Sequence, residues 1–277
     1  MKHEEGQFTG VGELSLYYQC WQPEEEARAV LVIVHGLGEH SGRYMNVVNH
    51  LVPLGYAVYG FDHRGHGRSP GPRGFIKNYI EFRGDVRNFL EMVREREGER
   101  PLFLMGHSMG GGIVVNYVLH DPEGFAGVIA SAPAIGKLNI QPALAFAARV
   151  MSGILPKFSM DNGLDLSGIS RDEAAVQAYI DDPLVHGKGT PRLGVEMMDN
   201  AEWSMANAHE WEPPLLLIHG DADRIVNAEQ TRAFFAQVQQ PDKEMIIYEG
   251  GYHESHNDVH YQQVVTDLER WLGQHLP

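Results

Sequence analysis

Leu102-Phe103-Leu104-Met105-Gly106-His107-Ser108-Met109-Gly110-Gly111-Gly112-Ile113 is the stretch on which the fold turns. A short apolar run, of the length of a buried strand, enters Gly-x-Ser-x-Gly and leaves it as an apolar segment that predicts a helix over 109–120. A serine on so sharp a strand-to-helix turn has a strained backbone, and glycines two before and two after it remove side chains that would collide. The hydroxyl is left exposed at a helix N-terminus. Serine is a poor nucleophile at neutral pH, so it needs a base within hydrogen-bond reach and a third group to orient that base. Elsewhere these residues would be a mere turn; between strand and helix they make Ser108 a candidate nucleophile.

Working outward, similar apolar runs recur at 29–34, 57–61, 127–131, 215–219 and 244–248. Helical patterns fit between them at 43–53, 80–97, 228–239 and 261–276, the last with Val264, Val265, Leu268 and Leu272 at helical spacing. This is the pattern of a mostly parallel, doubly wound α/β sheet covered on both faces, and residues 12–21 alternate as an antiparallel edge hairpin would. From 133 to 212 the alternation stops, leaving only helical pieces at 141–153, 171–180 and 192–209. The expected organisation is therefore a first core part (1–132), a helical cap over the carboxyl edge of the sheet (133–212) and a second core part (213–277). In the first cap piece, 143–155, ten of thirteen residues are apolar, which fits either a helix buried against its neighbours or a lid helix that touches lipid.

The acid and base should follow the nucleophile in chain order, each on a loop after a later strand. After 215–219 comes Gly220-Asp221-Ala222-Asp223-Arg224-Ile225-Val226, where Asp223 lies beyond the turn and is the candidate acid. Asp221 is expected instead to hold the loop through backbone N–H groups. The last strand leads into Glu249-Gly250-Gly251-Tyr252-His253-Glu254-Ser255-His256, with His253 the candidate base and His256 expected at the rim. Acyl transfer also needs two backbone donors aimed at a tetrahedral oxyanion. Met109 N–H, next after the nucleophile, is one, and Leu37 N–H in His35-Gly36-Leu37-Gly38, after strand 29–34, is the other.

Composition narrows the remaining possibilities. The chain has 277 residues and a net charge of −15 with its 15 histidines neutral, and it has no basic stripe of the kind nucleic acid or an anionic membrane surface requires. The single cysteine, Cys20, cannot form an intrachain disulfide, and no signal peptide or long apolar run is read, so the expectation is a soluble, cytoplasmic protein. Gly36-x-Gly38-x-x-x-Gly42 followed by Asp62 imitates a dinucleotide fingerprint with the wrong spacing. Asp62-His63-Arg64-Gly65-His66 and His253-Glu254-Ser255-His256 could be mistaken for metal ligands, but no Cys and no His-Glu-x-x-His supports them. Residues 62–69 are read as a polar loop tied by Asp and Arg hydrogen bonds at the base of the active-site mouth. No metal and no cofactor is expected. A non-catalytic binding module on the same fold is the rival from outside enzymology.

With these residues set out, the chain resembles the monoacylglycerol lipases of the α/β-hydrolase superfamily, in the group that also holds lysophospholipases and so-called serine aminopeptidases. The resemblance runs from about residue 12 to the C-terminus. It is carried by His35-Gly36-Leu37-Gly38-Glu39-His40-Ser41-Gly42-Arg43-Tyr44, Asp62-His63-Arg64-Gly65-His66-Gly67-Arg68-Ser69, Gly106-His107-Ser108-Met109-Gly110-Gly111, Ala178-Tyr179-Ile180-Asp181-Asp182-Pro183-Leu184-Val185 and Tyr252-His253. It implies hydrolysis of a monoacylglycerol ester to fatty acid and glycerol, with Ser108 as nucleophile, His253 as base, Asp223 as its orienter and Leu37 and Met109 at the oxyanion. It further implies a polar recess for the glycerol head lined by Glu39, Arg43, Tyr179 and His256; for Glu39 and Arg43 a plain i,i+4 ion pair is the alternative. Val185 and Val226 stand where mammalian members carry cysteines, so thiol-directed inhibition is not expected. A lysophospholipase or a general carboxylesterase would use the same triad, but so acidic a protein favours a neutral head group over a phosphate.

Overall fold

A computed structural model describes residues 1–138 and 140–276; Asn139, in the expected cap, and Pro277, in the second core part, lie outside the described residues. Its centre is an eight-stranded sheet built from β1 (Lys2–Gly10), β2 (Leu14–Gln22), β3 (Ala29–Val34), β4 (Tyr56–Phe61), β5 (Leu102–His107), β6 (Gly127–Ser131), β9 (Leu215–Gly220) and β10 (Lys243–Tyr248). The spatial order is β1-β2-β4-β3-β5-β6-β9-β10, antiparallel at β1–β2 and β2–β4 and parallel from β4 onward. β7 (Met160–Asp161) and β8 (Lys188–Gly189) form a separate antiparallel bridge inside the cap region, where no strand was expected.

The parallel strands read as unbroken apolar runs because both of their faces are covered. In β3 the two-residue period sends Val30, Val32 and Val34 into one core, with Phe82, Val86 and Phe89 of α2 (Ile80–Glu97) and Ile113 and Val114 of α3 (Met109–His120). Ala29, Leu31 and Ile33 go into the other, with Val47 and Val48 of α1 (Met45–Leu51) and Val264, Leu268 and Trp271 of α8 (Tyr261–Gln274). Full burial of one such aliphatic side chain stabilises by about 1.5–3 kcal/mol. The doubly wound α/β expectation therefore holds.

Two details differ from the sequence reading. The edge hairpin is longer than 12–21: β2 alone spans most of that stretch, and its partner β1 starts at Lys2. The helix expected over 43–53 divides into a 3-10 turn (Ser41–Tyr44), α1 and a second 3-10 turn (Val52–Leu54). Pro53 lies in that last turn, where it has no N–H to continue an α-helical ladder.

Between β6 and β9 lie α4 (Pro142–Ile154), α5 (Glu173–Asp181) and α6 (Pro191–Ala206). α4 is joined to α6 by Arg149 to Asp199 at 2.6 Å and by Arg192 Nη2 donating to Ser152 O at 3.0 Å. Its apolar residues do not enter the core: Phe146 is 71% and Ile154 70% exposed. That excludes the buried-helix reading of 143–155. Among the described residues no helix is long and apolar enough to cross a membrane.

Candidate active site

Ser108 lies between the end of β5 and the start of α3 with φ 54° and ψ −120°, a left-handed conformation that few side chains adopt. The turn is held by its own backbone: Ser108 N–H donates to Ser131 O at 2.9 Å, while Ser108 O accepts from Gly112 and Ala134 N–H at 3.0 Å each. A Cβ on Gly110 would strike the carbonyl oxygens of Val34 and His35, so the helix can lie against β3 only with glycine there. Sequence and strain agree on why this serine is presented.

Three chain-distant loops converge on it. Ser108 Oγ–H donates to His253 Nε2 at 2.8 Å, and His253 Nδ1–H donates to Asp223 Oδ2 at 2.6 Å. Asp223 follows β9 and His253 follows β10, adjacent parallel strands. Asp223 Oδ1 accepts from the N–H groups of Ile225 and Val226 at 2.7 and 3.0 Å, which fixes the carboxylate on its own loop. Asp221 takes the structural part expected of it, its Oδ1 accepting from Gly250 N–H at 2.6 Å and so joining the acid loop to the base loop.

His219, at the end of β9, is a site residue the sequence reading missed. Its Nε2–H donates to Asp223 Oδ2 at 3.0 Å and to Val226 O at 3.1 Å, while Nδ1 accepts from Thr231 Oγ1 at 2.8 Å. The available signal was its place four residues before the acid. Burial by itself would raise the Asp223 carboxyl, but the His253 charge and the two imidazole donors outweigh it and hold it well below the usual carboxylate range. For His253 burial opposes the charged form, and Asp223, with Glu254 and Glu39 nearby, more than reverses this, so its pKa is raised.

The triad opens on a cavity of about 230 Å³ lined by Leu37, Met109, Ser108 and His253 together with Ile135, Leu138, Ile140, Leu164, Ile169 and Met197. Among the described residues the N–H groups of Leu37 and Met109 have no acceptor, although both residues border the cavity beside Ser108. Asn162 also borders it and was not foreseen; its Nδ2 is buried without a partner.

Of the four positions expected to form a glycerol recess, the structure brings two to the cavity wall, Glu39 and Tyr179. Arg43 lies behind them, its guanidinium 4.6 Å from the Tyr179 ring centroid, 2.7 Å from Glu254 Oε2 and 3.5 Å from Glu39 Oε2. The i,i+4 pair with Glu39 thus exists, but the closer partner is Glu254. Burial and the neighbouring Glu254 push Glu39 up to about 7 against the opposing Arg43 charge. His256 is neither at the rim nor on the wall. It is fully buried and stacked on Tyr44 at 4.7 Å with rings 6° apart, because the 3-10 turn Ser255–Asn257 folds it inward.

Asp62 is buried and its oxygens are taken by Ser41 N–H at 2.9 Å, Ser41 Oγ at 2.7 Å and Arg68 N–H at 2.8 Å, leaving nothing aimed at a ribose. Residues 62–69 are indeed tied by Asp and Arg, with Arg64 Nε on Asp85 Oδ2 at 2.7 Å, but they do not border the cavity as expected. Arg64 is drawn away from the mouth toward Asp85 and Glu81 of α2. Among the described residues no group of three or more His, Cys, Asp or Glu is arranged to hold a metal ion.

Comparison with known proteins follows this geometry. The family model described as serine aminopeptidase, S33, matches residues 25–260. The monoacylglycerol lipase of Mycolicibacterium smegmatis is 34% identical over 274 residues, 98% of either chain. The crystal structure of Paleococcus ferrophilus monoacylglycerol lipase, 37% identical, covers 94% of this chain and 99% of that one with a TM-score of 0.85. A soluble variant of the Saccharomyces cerevisiae monoglyceride lipase, solved with a substrate analogue, is 25% identical, covers 100% of this chain and 97% of that one, and has a TM-score of 0.90.

Proposed function

The chain belongs to the serine aminopeptidase, S33, family of α/β-hydrolases, and from that membership we propose that it hydrolyses monoacylglycerols to a fatty acid and glycerol, with Ser108, His253 and Asp223 as catalytic triad. The observation that carries the reading is the unbroken Ser108–His253–Asp223 relay opening on an apolar cavity. Ser108 Oγ attacks the ester carbonyl as His253 Nε2 takes its proton. The oxyanion meets the N–H groups of Leu37 and Met109, whose individual loss costs about 3–4 kcal/mol in comparable sites. Collapse returns the proton to the glycerol oxygen and leaves an acyl-Ser108, which water then attacks through the same base.

The relatives' names supply the substrate class, and the physics of the site is consistent with it. Each acyl methylene buried in the cavity adds about 0.8 kcal/mol. The wall carries Glu39 and Glu254 against a single lysine, Lys137, so a lipid phosphate would meet more carboxyl groups than cations there, whereas hydroxyls of a neutral glycerol can pair with the carboxyl groups. Glu39 and Tyr179 are the wall positions we assign to the glycerol head, with Arg43 supporting them from behind. The 133–212 segment acts as a cap, and the exposed apolar face of α4, with Leu144, Phe146, Val150 and Ile154, is its lipid-contacting surface.

One panel tests the assignment: turnover of mono-, di- and triacylglycerols and a lysophospholipid at matched chain length, with Ser108→Ala beside the wild type. Monoacylglycerol is expected to be preferred, and Ser108→Ala to lose roughly 10⁶ in turnover if the triad acts as a unit. Preference for diacyl or triacyl substrates overturns the monoglyceride reading, and an active Ser108→Ala overturns the nucleophile.

A further inference from the structure

The loop that carries Leu37 is held from two sides. On the core side Glu39 Oε1 accepts from Gly36 N–H at 2.5 Å and from Tyr44 Oη–H at 2.8 Å. On the cap side lies the strap of residues 182–190 between α5 and α6. His186 N–H donates to Gly38 O at 2.8 Å, the residue just after Leu37. Gly38 has φ +80°, and a Cβ there would lie 2.5 Å from His186 O, so the strap can lie this close only against glycine. Two residues further on, His40 Nδ1 accepts from Gly42 N–H at 3.1 Å, which leaves Nε2 as the protonated nitrogen donating to Asp182 Oδ2 at 2.8 Å.

The strap is itself fixed to the core. His186 Nε2–H donates to Gly65 O at 3.1 Å and Thr190 Oγ1–H donates to Gly74 O at 2.7 Å, while within the strap Asp182 Oδ1 accepts from Leu184 N–H at 2.8 Å. A rigid cap segment therefore grips the loop immediately after Leu37, whose own N–H is left without an acceptor among the described residues.

We propose that Asp182 and His186 are positioning residues for the reaction, clasping His40 and Gly38 so that the Leu37 N–H points at the oxyanion. The inference rests on the assignment of Leu37 as an oxyanion donor. An oxyanion donor acts by being aimed before the charge develops, and a small misplacement sacrifices much of its effect. Because the charge exists only in the transition state, a loosened clasp lowers kcat and leaves substrate binding alone. The cap thus serves the chemistry as well as the acyl chain.

The test compares Asp182→Ala and Asp182→Asn with wild type, each normalised to active sites titrated to completion with a fluorophosphonate. Asp182→Ala is expected to lose roughly 10- to 100-fold in kcat with KM within about twofold. Asp182→Asn, whose single amide oxygen can accept from His40 Nε2–H or from Leu184 N–H but not from both, should fall between Asp182→Ala and wild type. Affinity for a trifluoromethyl ketone of matched chain length, which forms a tetrahedral adduct, should fall by the same factor as kcat/KM, while affinity for the product fatty acid stays unchanged. Wild-type kcat in Asp182→Ala, a loss confined to KM, or an undiminished ketone affinity would each overturn the proposal. His40→Phe opens the same clasp from the loop side and is read by the same criteria if Asp182→Ala does not fold. A wild-type enzyme that fails to bind the ketone brings down the serine-hydrolase reading itself, which separates that failure from failure of the clasp.

Discussion

Asp223 sits with a fully buried side chain and accepts from His253, His219, Ile225 and Val226. So many donors keep it ionised at any pH the protein meets, and an ionised Asp223 raises the His253 pKa. In the proposed reaction His253 must be neutral to take the Ser108 proton. Activity should therefore rise with pH along a limb lying above the ordinary imidazole value of about 6.5. Asp223→Asn removes the charge and offers the wrong hydrogen-bonding face to Nδ1. Its kcat should fall by roughly 10⁴, and the residual limb should move to lower pH, since only Glu254 and Glu39 then oppose the effect of burial on His253. A pH–rate profile of Ser108-titrated enzyme checks both; an unmoved limb would mean that Asp223 does not set the base. The convergence of Ser108, Asp223 and His253 was legible in sequence because each follows a strand in a fixed order. His219 and His256 were not, because their parts depend on side-chain direction: one points back along β9 to the carboxylate, the other folds under Tyr44. Sequence spacing encodes neither.

At the scale of elements, α2 has the bounds that periodicity predicts, residues 80–97, since a helix with one buried face shows its period, whereas α3, buried from Met109 to Val118, is found over 109–120 as the apolar segment after the serine turn. β1 escaped because most of Lys2–Gly10 is exposed at the sheet edge, and a strand exposed on both faces has no apolar alternation to read. α4 shows the opposite difficulty. Its composition reads as core, yet its neighbours cover only one side, with Ser152 its one buried residue and Leu144, Phe146, Val150 and Ile154 facing out. If that face meets lipid, its removal should matter only where the substrate is aggregated. Phe146→Asp together with Ile154→Asp is expected to lower turnover of vesicle-borne long-chain monoacylglycerol by roughly tenfold or more, since burying these two side chains is worth about 3 kcal/mol or more in lipid. Turnover of a soluble short-chain ester should be unchanged. Equal losses on both would place the effect in the fold of the cap and sink the lipid-contact reading.

The whole molecule has a second consequence of its histidines, distinct from catalysis. His35, His63, His66, His107 and His256 are all buried, and burial is the largest cause that pushes each below its ordinary value, to about 3 for His35 and about 4 for His256. In the unfolded chain they titrate near 6.5, so below that pH the unfolded state binds more protons and stability falls as pH falls. Each contributes about 1.4 kcal/mol per pH unit once its unfolded form is protonated and its folded form is not. The buried acidic and imidazole groups whose pKa values are raised act the other way: Glu39, at about 7, Asp85 and His253 lose stabilisation as pH rises. Five depressed histidines outweigh these three below pH 6.5, where His253 is already protonated in both states. Urea midpoints measured from pH 8 to 4.5 should therefore drop steeply beneath about pH 6.5, and a flat profile between 7 and 5 would refute the argument. The kinetic limb from His253 lies above the ordinary imidazole value and the unfolding limb below it. Activity should consequently be lost reversibly on mild acidification while the chain is still folded, and only at lower pH through unfolding. Far-UV circular dichroism recorded beside the pH–rate profile separates the two steps, and coincident transitions would mean that the buried histidines, not His253, set the acid limit of the enzyme.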